Sequence, residues 1–161
     1  MRRRGLILVV CLLLGIILMV MGMALMSQKA LEYRGASRTA ASVQALALAR
    51  AGLEDARIKL DQDGEFPPLV GDQKVFSYTE QVTNGALLVG SYTVTVDLHL
   101  AEPTYYIIRI TSVGTSGPMT DPLARRKLYA ELDVAPRDRL SPADPNPTLY
   151  EFLLVEDLGG L

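Results

Sequence analysis

Residues 6–26 read LILVVCLLLGIILMVMGMALM, and residues 27–60 continue directly as SQKALEYRGASRTAASVQALALARAGLEDARIKL. The first part carries no charge, and the second part is polar but rich in alanine. Neither part contains proline, the residue that most strongly breaks a helix. We predict one continuous helix about 80 Å long, at a rise of about 1.5 Å per residue. Such a helix is too long for the core of one small domain, so the pattern favours an apolar end in a membrane and a polar end that carries a head.

Composition limits the kinds of chemistry that this chain can carry. The 161 residues have a formal net charge of −2, so they offer no basic excess for binding nucleic acid. There is one histidine and no tryptophan, which leaves little material for a histidine-based catalytic or metal site. The single cysteine, Cys11, lies inside the apolar run and cannot form an intrachain disulfide. We therefore predict a protein that is not an enzyme and that has no cofactor and no metal ion.

The apolar run predicts a membrane anchor. Leu6–Met26 contains no charged residue and is long enough to cross the hydrocarbon core as a helix. Arg2, Arg3 and Arg4 precede it, and the positive-inside preference would hold this end in the cytoplasm. A cleaved secretory signal is the alternative, but its apolar core would be about 7–15 residues long and would end in a small-x-small site. We predict a single pass through a membrane, with the N-terminus in the cytoplasm and the head on the opposite side.

The order of these segments resembles a known family. A basic segment ending in glycine, Arg2-Arg3-Arg4-Gly5, followed by an apolar run and an alanine-rich helix, resembles a type IV prepilin. Two stretches are most similar to the N-terminal segment of the PilX-like minor pilins: Arg4-Gly5-Leu6-Ile7-Leu8-Val9-Val10 and Arg50-Ala51-Gly52-Leu53-Glu54-Asp55-Ala56. The resemblance implies that a membrane prepilin peptidase cuts after Gly5 and N-methylates the new first residue, Leu6. It also implies a single pass through the bacterial inner membrane with the head on the periplasmic side. The implied partners are other minor pilins, the major pilin, membrane lipid and the inner-membrane assembly platform.

Two positions depart from the family pattern. The usual first mature residue is phenylalanine, and here it is Leu6; the usual fifth mature residue is glutamate, and here it is Val10. In the family that glutamate is thought to pair with the terminal amine of a neighbouring subunit. A carboxylate inside a bilayer is expensive and is kept for a purpose. The resemblance therefore implies that a chain with Val10 is a minor component of the fibre, and the tip is a position where the missing pairing is not needed.

The resemblance leaves three functions open. The first is a minor pilin or pseudopilin that primes, or is incorporated into, a type IV pilus or related fibre and so reaches the cell surface. The second is a membrane-anchored binding or assembly module that does not polymerise. The third is a pseudopilin of a type II secretion system. The sequence does not distinguish the tip of a fibre from its shaft, and it identifies no ligand for the head.

The second half of the helix is predicted to pack against a sheet. Apolar residues recur at spacings of three and four, which places them on one helix face. They are Ala36, Ala40, Val43, Leu46, Ala49, Leu53, Ala56 and Leu60. We expect the helix to end near Asp61, where Gly64 can close it and Pro67-Pro68 prevents it from resuming.

The end of the helix also offers a candidate calcium loop. Asp61-Gln62-Asp63-Gly64-Glu65 is similar to the opening of such a loop, but Phe66 stands where the pattern requires glycine. A solvated and capped helix end is the favoured interpretation.

After Pro68 the apolar period changes to two, which indicates strands. Val75–Thr83 and Ala86–Val89 flank a hairpin turn at Asn84-Gly85. Further strands are predicted over Ser91–Leu100, Thr104–Val113 and Arg125–Val134, and their short connections favour antiparallel neighbours. One apolar and one polar face suit a sheet covered by a helix.

The remaining segments are predicted to carry no chemistry. His99 lies on the polar face of its strand, and Gly114-Thr115-Ser116-Gly117 is interpreted as a turn. Four prolines between Pro136 and Pro147 indicate an irregular arm, after which Leu149–Val155 could add an edge strand. We expect residues 157–161 to be loose.

The sequence thus predicts an α+β, pilin-like fold in four parts. Residues 1–5 form the leader, 6–27 the transmembrane helix, 28–62 the amphipathic helix, and 63–161 an antiparallel β head with a proline-rich C-terminal arm.

Overall fold

One helix, α1, runs through Arg3–Gln62 without interruption. The structure is a computed structural model that describes residues 3–63 and 65–160, with side chains from residue 10 onward. The end of α1 falls next to the predicted position, and the Asp63 N–H donates to Lys59 O at 2.9 Å in its last turn. Gly64, predicted to close the helix, lies outside the described residues.

The chain forms two compact units, Met1–Thr39 and Ala40–Leu161. In the first unit the described residues are helical, and every described side chain is exposed. Within it, Lys29 Nζ contacts Glu32 Oε2 at 2.6 Å, and the Thr39 hydroxyl donates to Gly35 O at 3.0 Å. The second unit contains the rest of α1 and five strands.

The strands form one antiparallel meander in the order β1-β2-β3-β4-β5. They are β1 (Val75–Asn84), β2 (Leu87–Asp97), β3 (Ile107–Ser116), β4 (Ala124–Asp133) and β5 (Phe152–Gly160). The predicted hairpin turn after Asn84 is confirmed, and Gly85 adopts a φ of 63°, which glycine reaches without a Cβ penalty. Phe152–Gly160 supplies the edge strand that the sequence left open.

The core lies between α1 and strands β2, β3 and β4. Its buried members are Ala49, Leu53, Ala56, Leu60, Tyr92, Val94, Val96, Ile108, Ile110, Leu128, Ala130 and Leu132. The opposite face of the sheet is polar: Ser77 and Thr95 hydroxyls lie 2.9 Å apart, and Thr79 and Thr93 hydroxyls 2.8 Å apart. These features confirm the predicted α+β fold, a long N-terminal helix packed on a small antiparallel sheet.

The predicted helix face is right at its C-terminal end and wrong at its start. Ala49 to Leu60 pack on the sheet as predicted, but Ala36, Ala40 and Val43 are exposed, Val43 to 62 %. Ala41, Ala45 and Leu48 are buried in their place. Apolar residues lie on more than one face of this helix, and spacing alone does not identify which face meets the sheet.

Strand boundaries also differ from the prediction. The segments before and after Gly90 form a single strand, β2, since the glycine pairs with Ser116 within the ladder. β3 begins at Ile107 instead of Thr104, because Thr104 and Tyr106 have φ values of 128° and 50°, outside the extended region.

Two segments predicted to be irregular are strands. Gly114–Ser116 belongs to β3, and the turn starts only at Gly117, where φ is 82°. The segment 157–160, expected to be loose, continues β5, where Asp157 pairs with Arg126 and accepts a hydrogen bond from Gly159 N. Residue 161 lies outside the described residues.

Candidate functional site on the long helix and the arm

The N-terminal part of α1 is long and apolar enough to cross a membrane. Gly5 and Leu6, the predicted processing residues, lie within the helical backbone; their side chains are outside the described set. Val10, where the resemblance to prepilins leads one to expect glutamate, is 49 % exposed, and Cys11 is exposed beside it. An exposed apolar surface of this kind suits a lipid environment.

Where α1 packs on the sheet, the backbones approach very closely. A Cβ at Gly114 would lie 2.0 Å from Ala45 O, and a Cβ at Gly52 would lie 2.5 Å from Ser112 Oγ. Both glycines are therefore required by the close approach. The Ser112 hydroxyl is buried without a hydrogen-bond partner among the described residues. A lone glycine inside a helical pattern is a signal of such packing, and the sequence interpretation did not use it.

The side of α1 that faces away from the sheet carries apolar residues together with the charged residues Arg50 and Glu54. We call it the outer face and define it by Ala40, Val43, Ala47, Ala51 and Ile58, which recur at helical spacing and are all exposed. Polar Glu54 interrupts it. Small side chains let a second helix approach closely, so the outer face is shaped for helix packing.

A polar network joins α1 to the first two strands. Lys59 Nζ contacts Asp55 Oδ2 at 2.8 Å and also pairs with Glu80. The Tyr78 hydroxyl donates to Asp55 at 2.7 Å, and the Tyr92 hydroxyl donates to Glu80 at 2.8 Å. Burial and these acceptor carboxylates raise the pKa values of both tyrosines, so both phenols stay neutral donors.

The connection between β4 and β5, residues 134–151, is the predicted proline-rich arm, and Asp133 anchors it. This buried carboxylate accepts hydrogen bonds from Ala135 N at 3.0 Å, Asn146 Nδ2 at 3.0 Å and Thr148 Oγ1 at 3.1 Å. Arg139 lies 3.3 Å away. The sequence interpretation missed Asp133, which falls on the polar side of an alternating strand and has partners up to 15 residues away.

Burial and hydrogen bonding act on Asp133 in opposite directions. Desolvation raises the pKa of its carboxyl, but the donors from Ala135, Asn146 and Thr148 and the charge of Arg139 outweigh it. The net result is a pKa below the usual value of 3.8. Asp133 is therefore ionised at neutral pH and holds the arm in that state.

The other candidate residues make structural contacts. His99 Nδ1 lies 2.6 Å from Asp97 Oδ1, and Arg109 binds the second oxygen of that carboxylate at 2.7 Å. Asp63, in the candidate calcium loop, accepts a hydrogen bond from Glu65 N at 3.0 Å, which forms an Asx turn after the helix. Within the part of the chain that the structure describes, no three acidic, histidine or cysteine side chains lie together as a metal site would require.

Comparison with known proteins finds no match: no family model, no curated protein and no solved structure is similar to this chain.

Proposed function

We propose that this chain is a minor pilin or pseudopilin, a membrane-stored subunit that primes or enters a type IV pilus or related fibre. The observation that carries the proposal is the distribution of apolar residues along α1. One helix joins an apolar, exposed N-terminal part to a part that packs on a sheet and still leaves an apolar outer face. A helix that served only to anchor a head would need no second apolar face.

The segment before the helix supports the same proposal. Arg2-Arg3-Arg4-Gly5 resembles a prepilin leader, which gives the peptidase a small residue at its cleavage site. Under this proposal Leu6 is the mature N-terminus and carries a methyl group. The basic leader stays in the cytoplasm, and the sheet unit lies on the periplasmic side.

Intact mass of the membrane-extracted protein tests the proposal. Co-expressed with a prepilin peptidase, the chain should lose residues 1–5 and gain the mass of one methyl group. Gly5→Leu should leave the full mass, because the bulky side chain blocks cutting. Gly15→Leu is the matched control and should be processed normally. A purified chain that still begins at Met1 in the presence of active peptidase would contradict the proposal.

Val10 favours a second candidate, a membrane-anchored module that does not polymerise. Without a carboxylate at this position the chain cannot pair with a neighbour's amine in the manner of the family. The two candidates differ in one measurement. A subunit is found in fibres sheared from cells, whereas an anchored module stays entirely in the membrane fraction.

A further inference from the structure

An open cavity of about 400 Å³, with polar and apolar lining groups, lies where the arm meets the turn between β2 and β3. Its lining residues are Thr104, Tyr106, Ala135, Pro136, Arg137, Asp138 and Arg139. This volume falls at the small end of the range of about 300–1,000 Å³ that small-molecule sites occupy. Its residues come from the turn between β2 and β3 and from the arm, and none comes from α1. The proposed function does not use this cavity.

The wall of the cavity is built from strained backbone. Thr104 and Tyr106 are not glycine, yet their φ values are 128° and 50°. Arg139 holds this turn by donating to Tyr105 O at 2.9 Å, and Val134 N donates to Tyr106 O at 3.0 Å. Such strain persists only where surrounding contacts impose it, and it clusters at ligand sites.

Two guanidinium groups with unused donors line this wall. Arg137 makes one hydrogen bond, from Nη1 to Ala143 O at 3.4 Å, and has no ion-pair partner among the described residues. Arg139 uses one terminal nitrogen for both Tyr105 O and Asp133. A guanidinium carries five N–H donors in a planar fork that matches a carboxylate. The free donors therefore suit a ligand with an anionic oxygen group, such as a carboxylate.

The remaining lining groups suit a ring that carries hydroxyls. Tyr106, Pro136 and Thr104 are among them, and Asp138 spends one carboxylate oxygen on Leu140 N at 2.8 Å. The second Asp138 oxygen can accept a hydrogen bond from a ligand hydroxyl. We propose that this cavity binds an acidic saccharide, with a uronic-acid carboxylate on Arg137 and sugar hydroxyls on Asp138 and Thr104.

Saturation-transfer NMR on the full chain in detergent tests the assignment, with galacturonate and galactose as a matched pair that differs in the carboxylate. Galacturonate should bind at least about 10-fold more tightly, as a charge-assisted hydrogen bond implies. Arg137→Gln should weaken galacturonate binding about 10-fold and leave galactose unchanged. Arg137→Lys keeps the charge but loses the fork, and should give an intermediate affinity.

Arg125→Gln, an exposed arginine near the start of β4, is the control and should bind galacturonate like the natural chain. Equal binding of both sugars, or unchanged binding in Arg137→Gln, would overturn the assignment. A diglutamate peptide that competed with galacturonate and bound more tightly would overturn the saccharide in favour of a peptide. None of these outcomes depends on cleavage at Gly5, so the assignment and the proposed function fail separately.

Discussion

Single side chains decide how tightly the helix and the sheet can approach. Gly52 and Ser112 meet where an added Cβ would have only 2.5 Å, and Tyr92 closes the other side of the same contact at 2.9 Å. The absence of a side chain at position 52 is thus a packing requirement, although glycine weakens a helix interior by roughly 0.5–1 kcal/mol relative to alanine.

The first prediction concerns this contact. Gly52→Ala gains helix propensity but forces the Cβ into Ser112, so we expect a net loss of about 1–3 kcal/mol in the free energy of unfolding. Ser112→Ala removes a buried hydroxyl without a partner, so it should be neutral or stabilising. Combining the two should recover part of the loss, and denaturant titration of all four chains measures the coupling. Strictly additive effects would contradict the proposed clash.

The second prediction concerns the buried carboxylate that anchors the arm. Asp133→Ala leaves the Ala135 and Asn146 donors without their acceptor, so the arm should detach and trypsin should cut at Arg137. Asp72→Ala, at an exposed carboxylate without a hydrogen bond among the described residues, should leave the digestion rate unchanged. Equal digestion rates for the two variants would show that Asp133 does not hold the arm.

The same group makes stability depend on acid. Because the folded pKa of Asp133 lies below its usual value of 3.8, its contribution is complete above that value. The contribution falls as the pH drops through the lower folded pKa. The natural chain should therefore lose more stability below about pH 4 than Asp133→Ala does. Hydrogen exchange of the arm across this range measures the difference.

At the scale of elements, α1 has two apolar sides with different roles. Leu53 is 3 % exposed against the sheet, whereas Val43 on the outer face is 62 % exposed. The same substitution should therefore affect the stability of the fold at Leu53 and, under the proposed function, assembly at Val43.

The third prediction uses that pair. Leu53→Asp forces an unpaired charge against the sheet and should lower the free energy of unfolding by about 3–5 kcal/mol. Val43→Asp should change it by less than about 0.5 kcal/mol, because the position is open to solvent. Thermal melting of the full chain in detergent compares them. Under the proposed function Val43→Asp should nevertheless remove the protein from sheared fibres. Normal incorporation of this variant would show that the outer face packs on nothing in the fibre.

At the scale of the whole molecule, the proposed function makes Val10 the residue that bears on the place of the subunit in a fibre. Under that proposal a chain without the carboxylate cannot pair with a neighbour's amine, so we expect it at or near the tip with other minor subunits. Restoring the carboxylate tests this expectation.

The fourth prediction is that Val10→Glu leaves assembly unchanged or reduces it, because a tip subunit gains no partner and carries the cost of a buried carboxylate. Val10→Gln is the uncharged control of the same size. Immunogold labelling of sheared fibres gives the measurement. Even labelling along the whole fibre in Val10→Glu would mean that the subunit belongs to the shaft, and the tip hypothesis would be wrong.

The sequence by itself determined the elements whose signal is local. An uncharged apolar run followed by a proline-free, alanine-rich stretch predicts one helix from Leu6 to about Leu60, and the observed helix is Arg3–Gln62. The change of period after Pro68 predicts the sheet. Asn84-Gly85 predicts the first hairpin because a positive φ favours glycine at the turn. Each of these signals resides in neighbouring residues, so no distant contact was needed to interpret it.

The tertiary structure alone decided which partners meet across the fold. More than one face of α1 carries apolar residues, and close approaches such as those of Gly114 to Ala45 and of Gly52 to Ser112 accompany the face that is buried. The boundary of β3 at Ile107 depends on a turn held by the arm, and the anchoring role of Asp133 depends on donors far along the chain. These features arise from long-range packing and hydrogen bonding, which periodicity and residue preference do not encode.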